Sequence, residues 1–281
     1  MKEQDYAHRA DDIFVLPEAV TKIKQLIDDQ SASIDDIANV INFDPGIMSQ
    51  VLKISNSALY RFPQAINTVT KAIQLIGTQS VYDLVLAYGV ANAFKTIDSD
   101  VIDLDKFWRQ SICCGLLARN FAEHLGLKEP EKLFVCGLLH NLGELVLVKL
   151  NPNMAKRCAN NDAKNRPLSV QQQNLGFTYA QVSAALLGLW GIPTDISQII
   201  LHTHKETEHS AELEHQLMQL SYLLAMNNID SEYYAKYQDI NLEYYQDIGL
   251  NQVAMDNALD ESNLQLMGAM ALFSPTAFNL F

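Results

Sequence analysis

The side chains that could do metal, nucleophilic or redox chemistry are few: seven histidines and four cysteines in 281 residues. His140 follows Gly137-Leu138-Leu139 and precedes Asn141. A hydrolytic metal needs neutral imidazoles and ionised carboxylates converging from separate helices. A histidine at a helix end is otherwise a core residue satisfied by a hydrogen bond. His202 and His204 are two apart, which puts their imidazoles on different helix faces and stops them chelating one ion together. Cys113 and Cys114 are adjacent, a spacing that suits neither a disulfide framework nor a C-x-x-C knuckle. With Cys136 and Cys158 they are expected as reduced core thiols, and only Arg109 stands near enough in sequence to lower a thiol pKa. No Gly-rich phosphate loop, ordered Ser-His-Asp set or basic-aromatic stripe is present.

The elements that must position these residues read as helices. Val20, Ile23 and Ile27 recur at helical spacing, as do Ile34, Ile37 and Ile41, then Met48, Val51 and Leu52. Val69, Ile73 and Ile76, then Val81, Leu84, Val85 and Tyr88, then Ile112, Leu116, Leu117 and Phe121 continue the pattern. No sustained period-two alternation argues for strands. Ser33-Ile34-Asp35-Asp36 reads as a capping box with Asp for Glu, and Asp44-Pro45 as an N-cap before a first-turn proline. Gly77 reads as a C-cap followed by Thr78 as a new N-cap, and Gly126 as the stop of a helix begun near Leu104. Ser169 to Gln172 and Thr178 to Gln181 read as two more capping boxes. Asn56 and Ser57 sit at a helix-to-turn step, where such side chains satisfy backbone groups. Trp108 and Trp190 are expected as core anchors.

Hydrophobic residues are 48% of the chain and charged residues 19%, the balance of a folded core rather than a disordered chain. The net charge of −13 repels nucleic-acid phosphates and anionic membranes, so neither is expected as a partner. The first residues lack a signal h-region, and no stretch is read as reaching the roughly 18 to 20 apolar residues of a membrane span. A cytoplasmic location is expected. Residues 151–166 read as a polar loop or poorly buried helix, with a second weak boundary at 205–214. Leu213, Leu217, Leu220 and Leu224 form a short stripe for packing on the main body. The apolar tail, Ala271 to Phe273 and Phe278 to Phe281, is expected to dock on the body or on a second copy, which suits a homodimer.

Three stretches carry a family pattern: Asp44 to Tyr60 with Asn56-Ser57-Ala58, Ile66 to Gly77 with Ala72-Ile73-Gln74-Leu75-Ile76-Gly77, and Gly137 to Leu147 with His140-Asn141. Together with Leu189-Trp190-Gly191-Ile192-Pro193 they resemble the HDOD family, relatives of the HD metal-dependent phosphohydrolases. The resemblance runs from about Phe14 to about His204. It implies an all-α fold: an HDOD domain at 14–204, with an N-terminal helical bundle at 14–100 and an HD-like core at 101–204. A C-terminal helical extension would follow at 205–281. It also implies a role in bacterial signal transduction, with no general enzymatic activity attached.

Set against the HD pattern, Asn141 stands where the family's aspartate would be, Gln110 where one histidine would be, and Tyr179 where another would be. His204 aligns with the second member of a terminal histidine pair. The resemblance therefore implies a degenerate site with no catalytic residue, metal or cofactor. Gln110, His140, Asn141, Tyr179 and His204 are the candidate ligand pocket, for a small-molecule or nucleotide effector. The favoured function is a non-catalytic regulator acting on a protein partner. The alternative is a metal-dependent phosphohydrolase of a nucleotide or cyclic dinucleotide, resting on His140 and His204 with Glu144 or Asp195 recruited as ligands.

Overall fold

Where each helix begins follows from local chemistry. A computed structural model describes residues 1–29, 32–160, 165–204 and 212–274, and among these every regular element is helical. The chain divides into two compact units, a larger one of residues 1–14 and 96–266 and a smaller one of residues 15–95 and 267–281.

The first helix, α1 (Glu3–Asp11), belongs to the larger unit. The smaller unit holds α2 (Glu18–Asp28), α3 (Ile34–Phe43), α4 (Pro45–Ser55), α5 (Val69–Ile76) and α6 (Thr78–Ala93). Ser33 and Asp36 close the expected capping box at α3: Asp36 N–H donates to Ser33 Oγ at 3.2 Å and Ser33 N–H to Asp36 Oδ2 at 2.8 Å. Asp44 Oδ1 accepts from the N–H groups of Gly46 and Ile47, each at 3.0 Å, and Pro45 opens α4 without a wasted donor. Asn56 clamps the turn after α4. Its Oδ1 accepts from Ile66 N–H and its Nδ2 donates to Ile66 O, both at 2.8 Å. Ser57 Oγ donates to Ile54 O at 2.7 Å. Gly77, at φ 97°, both ends α5 and precedes α6, so Thr78 is the first helical residue and not the expected N-cap. The left-handed glycine makes the corner alone and leaves no cap position for a threonine side chain. Leu272 and Phe273 are buried in this unit, where Gln50 Nε2 donates to Leu272 O. The rest of the apolar tail, 275–281, lies outside the described residues.

The larger unit continues with α7 (Leu104–His124), α8 (Pro130–Leu139), α9 (Leu142–Leu150), α10 (Pro152–Ala159), α11 (Pro167–Leu175), α12 (Tyr179–Leu189), α13 (Thr194–Thr203), α14 (Leu213–Ile229) and α15 (Leu242–Asp247). In α16 (Gln252–Phe273), residues up to 266 belong here and the remainder to the smaller unit. Gly126, at φ 69°, follows the end of α7 as expected. α7 packs along α8 so closely that a Cβ on Gly137 would lie 2.4 Å from Gly115 Cα. α14 packs on α7, α8 and α13 with Leu217, Leu220 and Leu224 buried. The four cysteines are buried and none is in a disulfide, and burial pushes the Cys113 thiol up to about 12.

Three further expectations are corrected. The second capping box, at Ser169, does not form, because Pro167 at the first helical position starts α11 earlier with Arg166 as its N-cap. Trp108 is a core residue, but Trp190 is only half-buried, at the C-terminal end of α12. One stretch does reach membrane-span length and apolarity: Pro130–Leu150, of which 78% is buried inside the protein. It is α8 and α9, broken at His140-Asn141, and its apolarity fills the core of the larger unit.

Candidate functional site

The break between α8 and α9 places His140 and Asn141 side by side at a helix junction, with Glu144 in the first turn of α9. Two contacts set this junction against α12. Gly143 meets the backbone of Tyr179, where a Cβ would come within 2.2 Å of the carbonyl oxygen. Ser183 Oγ accepts from Gly143 N–H at 2.8 Å and lies 2.9 Å from His140 O and 3.0 Å from Tyr179 O, able to donate to one of them at a time. Tyr179 is fixed in turn by the Thr178–Gln181 capping box and by Gln171 Oε1, which accepts its N–H at 2.9 Å.

A cavity of about 250 Å³ opens there. Gln110 of α7, His140, Asn141, Glu144 and Tyr179 line it, joined by Gln171 of α11, Cys158 of α10 and Tyr222 of α14. Asp103, Lys106 and Asp230 complete its charged lining, with Lys106 Nζ bonded to Asp230 at 2.5 Å. Four of the five residues that the sequence marks as a pocket thus share one cavity. His204 lies outside the lining, behind His140, with the two rings edge to face at 5.2 Å. His204 also packs on Tyr222 at 4.5 Å, and neither of its ring nitrogens has a hydrogen-bond partner among the described residues. His202 turns elsewhere and stacks on His215 at 4.4 Å.

Burial controls the protonation of this cluster. It drives His140 down to about 4, against the hydrogen bond from Nδ1 to Gly137 O at 2.6 Å, which favours the charged ring. Burial also drives His204 well below the ordinary histidine range, and nearby His140 adds to this. Both rings are neutral near pH 7. Burial raises the Glu144 carboxyl to about 7, opposed by the Asn141 Nδ2 donor at 2.6 Å and by the charge of Lys106. Burial likewise raises the phenols of Tyr179 and Tyr222, which stay neutral.

This donor set does not fit a hydrolytic divalent ion. Among the described residues no three His, Cys, Asp or Glu side chains converge. Asn141 points its amide N–H at the Glu144 carboxylate, and Gln110 and Tyr179 add only neutral dipoles.

Tyr222, Gln171 and Lys106 were not marked by sequence reasoning. Tyr222 hid between the leucines of the α14 stripe. The signal available was that Gln216, Gln219 and Tyr222 interrupt a helix expected to be buried.

An all-helical core carrying a His–Asn step at a helix junction and a polar cavity beside it defines an HD-like domain. Residues 13–206 match the model of the HDOD domain, and the chain belongs to that family. It is similar, at 27% identity over 211 residues, to an uncharacterized protein of Treponema pallidum; the match covers 73% of this chain and 40% of that protein, so this chain spans about two fifths of its relative's length. Its fold is similar to that of an HDOD domain protein of unknown function from Geobacter sulfurreducens, with TM-score 0.75, 18% identity, and coverage of 96% of this chain and 98% of that one. A chain from Shewanella amazonensis, provisionally assigned as a phosphohydrolase, aligns with TM-score 0.69 at 20% identity, covering 92% and 93%.

Proposed function

We propose that this chain is a non-catalytic regulatory protein that acts through contacts with a protein partner and uses the cavity at the former HD site to sense a small ligand. The observation that carries this reading is a cavity lined by Gln110, Asn141 and Tyr179 with no three His, Cys, Asp or Glu side chains placed to hold a metal among the described residues. Gln110, Asn141 and Tyr179 line the space where a metal set would need anions and imidazoles. His140 is the surviving histidine of the lining, and its Nδ1 is committed to the backbone. A cavity with convergent polar groups and perturbed titrations is a binding site in physical terms, whether or not a reaction follows.

The test is elemental analysis by plasma mass spectrometry after exposure to manganese, iron, zinc and nickel and then desalting, paired with a phosphodiesterase assay in the same metals. The expected result is a metal content near zero and no turnover. Tightly held metal together with turnover that vanishes in His140→Ala would establish the phosphohydrolase instead.

A further inference from the structure

The cavity of the larger unit carries uncompensated charge of one sign. Lys106 is the one cation among its described lining residues, and its ammonium is bonded to Asp230. Asp103 and Glu144 form no ion pair among the described residues. Asp103 Oδ1 accepts the backbone N–H of Lys106 at 3.0 Å, and Glu144 Oε2 accepts from Asn141. These two carboxylates stand at the starts of α7 and α9, where they already answer the partial positive charge of the helix ends. An incoming phosphate would meet these carboxylates with no free cation among the described lining residues.

A second observation is independent of that charge. Tyr179 is only 3% exposed and lines the cavity, and beyond the Cys158 thiol its hydroxyl has no hydrogen-bond partner among the described residues. A thiol is a weak partner, and the hydroxyl oxygen keeps its lone pairs for a donor from a ligand. His140 adds an acceptor, because the Nδ1–H bond to Gly137 O leaves Nε2 with its lone pair. Phe107 and Tyr222 are the other aromatic residues of the lining, and aromatic rings attract organic cations. The volume, about 250 Å³, is below the roughly 300–1,000 Å³ typical of drug-sized ligands. A cyclic dinucleotide is too large for it.

We infer that the cavity binds a small organic cation bearing an ammonium or guanidinium group, held by the Glu144 carboxylate with the Tyr179 hydroxyl as a second acceptor. This names the ligand class of the sensing site proposed above and rests on that reading. Glu144 supplies the attraction, Tyr179 and His140 supply direction, and size and charge together reject phosphorylated nucleotides.

The experiment is isothermal titration calorimetry on the full chain at pH 8, where the Glu144 carboxyl is ionised, and at low salt. Agmatine is the cationic probe, and adenosine and adenosine monophosphate are the neutral and anionic counter-probes. Agmatine is expected to bind once per chain and more tightly than either counter-probe. Glu144→Gln, which keeps the shape and still accepts from Asn141, should weaken it at least about tenfold, as expected when a charge-assisted bond is lost. Tyr179→Phe should weaken it by a smaller factor, and unchanged thermal unfolding of that variant would show that the fold is intact. The inference is overturned if agmatine fails to bind in the millimolar range, if Glu144→Gln leaves its affinity unchanged, or if adenosine monophosphate binds more tightly. Adenosine monophosphate that binds without turnover would end the ligand class and leave the regulatory reading standing. Its metal-dependent hydrolysis would end both.

Discussion

The two compact units use polar and glycine residues in opposite ways. In the smaller unit polar side chains tie the backbone at element ends: Ser33 and Asp36 at α3, Asp44 at α4, and Asn56 across its turn. In the larger unit polar groups also sit deep beside a cavity, where His140, His204 and Tyr179 are buried and Glu144 is partly so. The glycines differ in the same sense. At Gly89 of the smaller unit the obstacle to a Cβ is a methyl of Val20, which can move only if that stiff, buried side chain changes rotamer. At Gly137 and Gly143 of the larger unit the obstacle is backbone, which cannot. The smaller unit thus uses polarity to fix its geometry. The larger unit tolerates polar groups that its own stability would be better without, and such exceptions mark functional sites.

The sharpest way to break this contrast is Gly137→Ala. The added Cβ would collide with Gly115, and the expected cost is about 4 kcal/mol in urea unfolding, against a clearly smaller loss for Gly89→Ala. Equal losses would remove the distinction.

The next effect is an acid sensitivity located in the larger unit. His140 titrates near 4 when folded and near 6.5 when unfolded, so the unfolded chain takes up the proton first as pH falls. Its contribution is full above pH 6.5 and is lost progressively toward pH 4, in total about 3 kcal/mol. Comparing urea midpoints of the native chain and His140→Gln at pH 7 and pH 4 isolates this term. Glu144 runs the other way. Its carboxyl is raised when folded, from 4.5 to about 7, so its contribution is present below pH 4.5 and lost as pH rises through 7. Glu144→Gln should therefore stabilise the chain by about 2 kcal/mol at pH 8, after allowance for partial solvent access, and by little at pH 5. A destabilised variant at pH 8 would show that the carboxylate is not held at a cost. The smallest effect belongs to the smaller unit: Asn56→Ala should cost about 1–2 kcal/mol at any pH between 5 and 8, because the Ile66 backbone loses two partners.

Most of the fold was legible because helix starts are local. The boxes at Ser33 and Thr178 and the Asp44-Pro45 step needed only residues within one turn. The failures had competing local signals. Pro167 overrode Ser169, and Gly77 made its corner without Thr78. Four of the marked site residues converge because the family pattern fixes which helix ends face one another. Tyr222 and Asp230 escaped because their place in the cavity depends on how α14 lies against α7, whereas Lys106 stands one turn before Gln110 on the same face of α7 and was within reach of that spacing. His204 was placed with the others, but the partner it meets is the far side of His140 rather than the cavity.

The contact between Gly115 and Gly137 also limits how the larger unit can move. If α8 slid along α7 by one residue, a position bearing a Cβ would face the other helix's backbone across a gap that admits none. The two helices are therefore locked in register and travel as one body. Gln110 and His140, carried on that body, cannot part to admit a ligand. Any shift in population between open and closed forms of the cavity must come from its other walls, the starts of α9 and α12 or the Tyr222 face of α14.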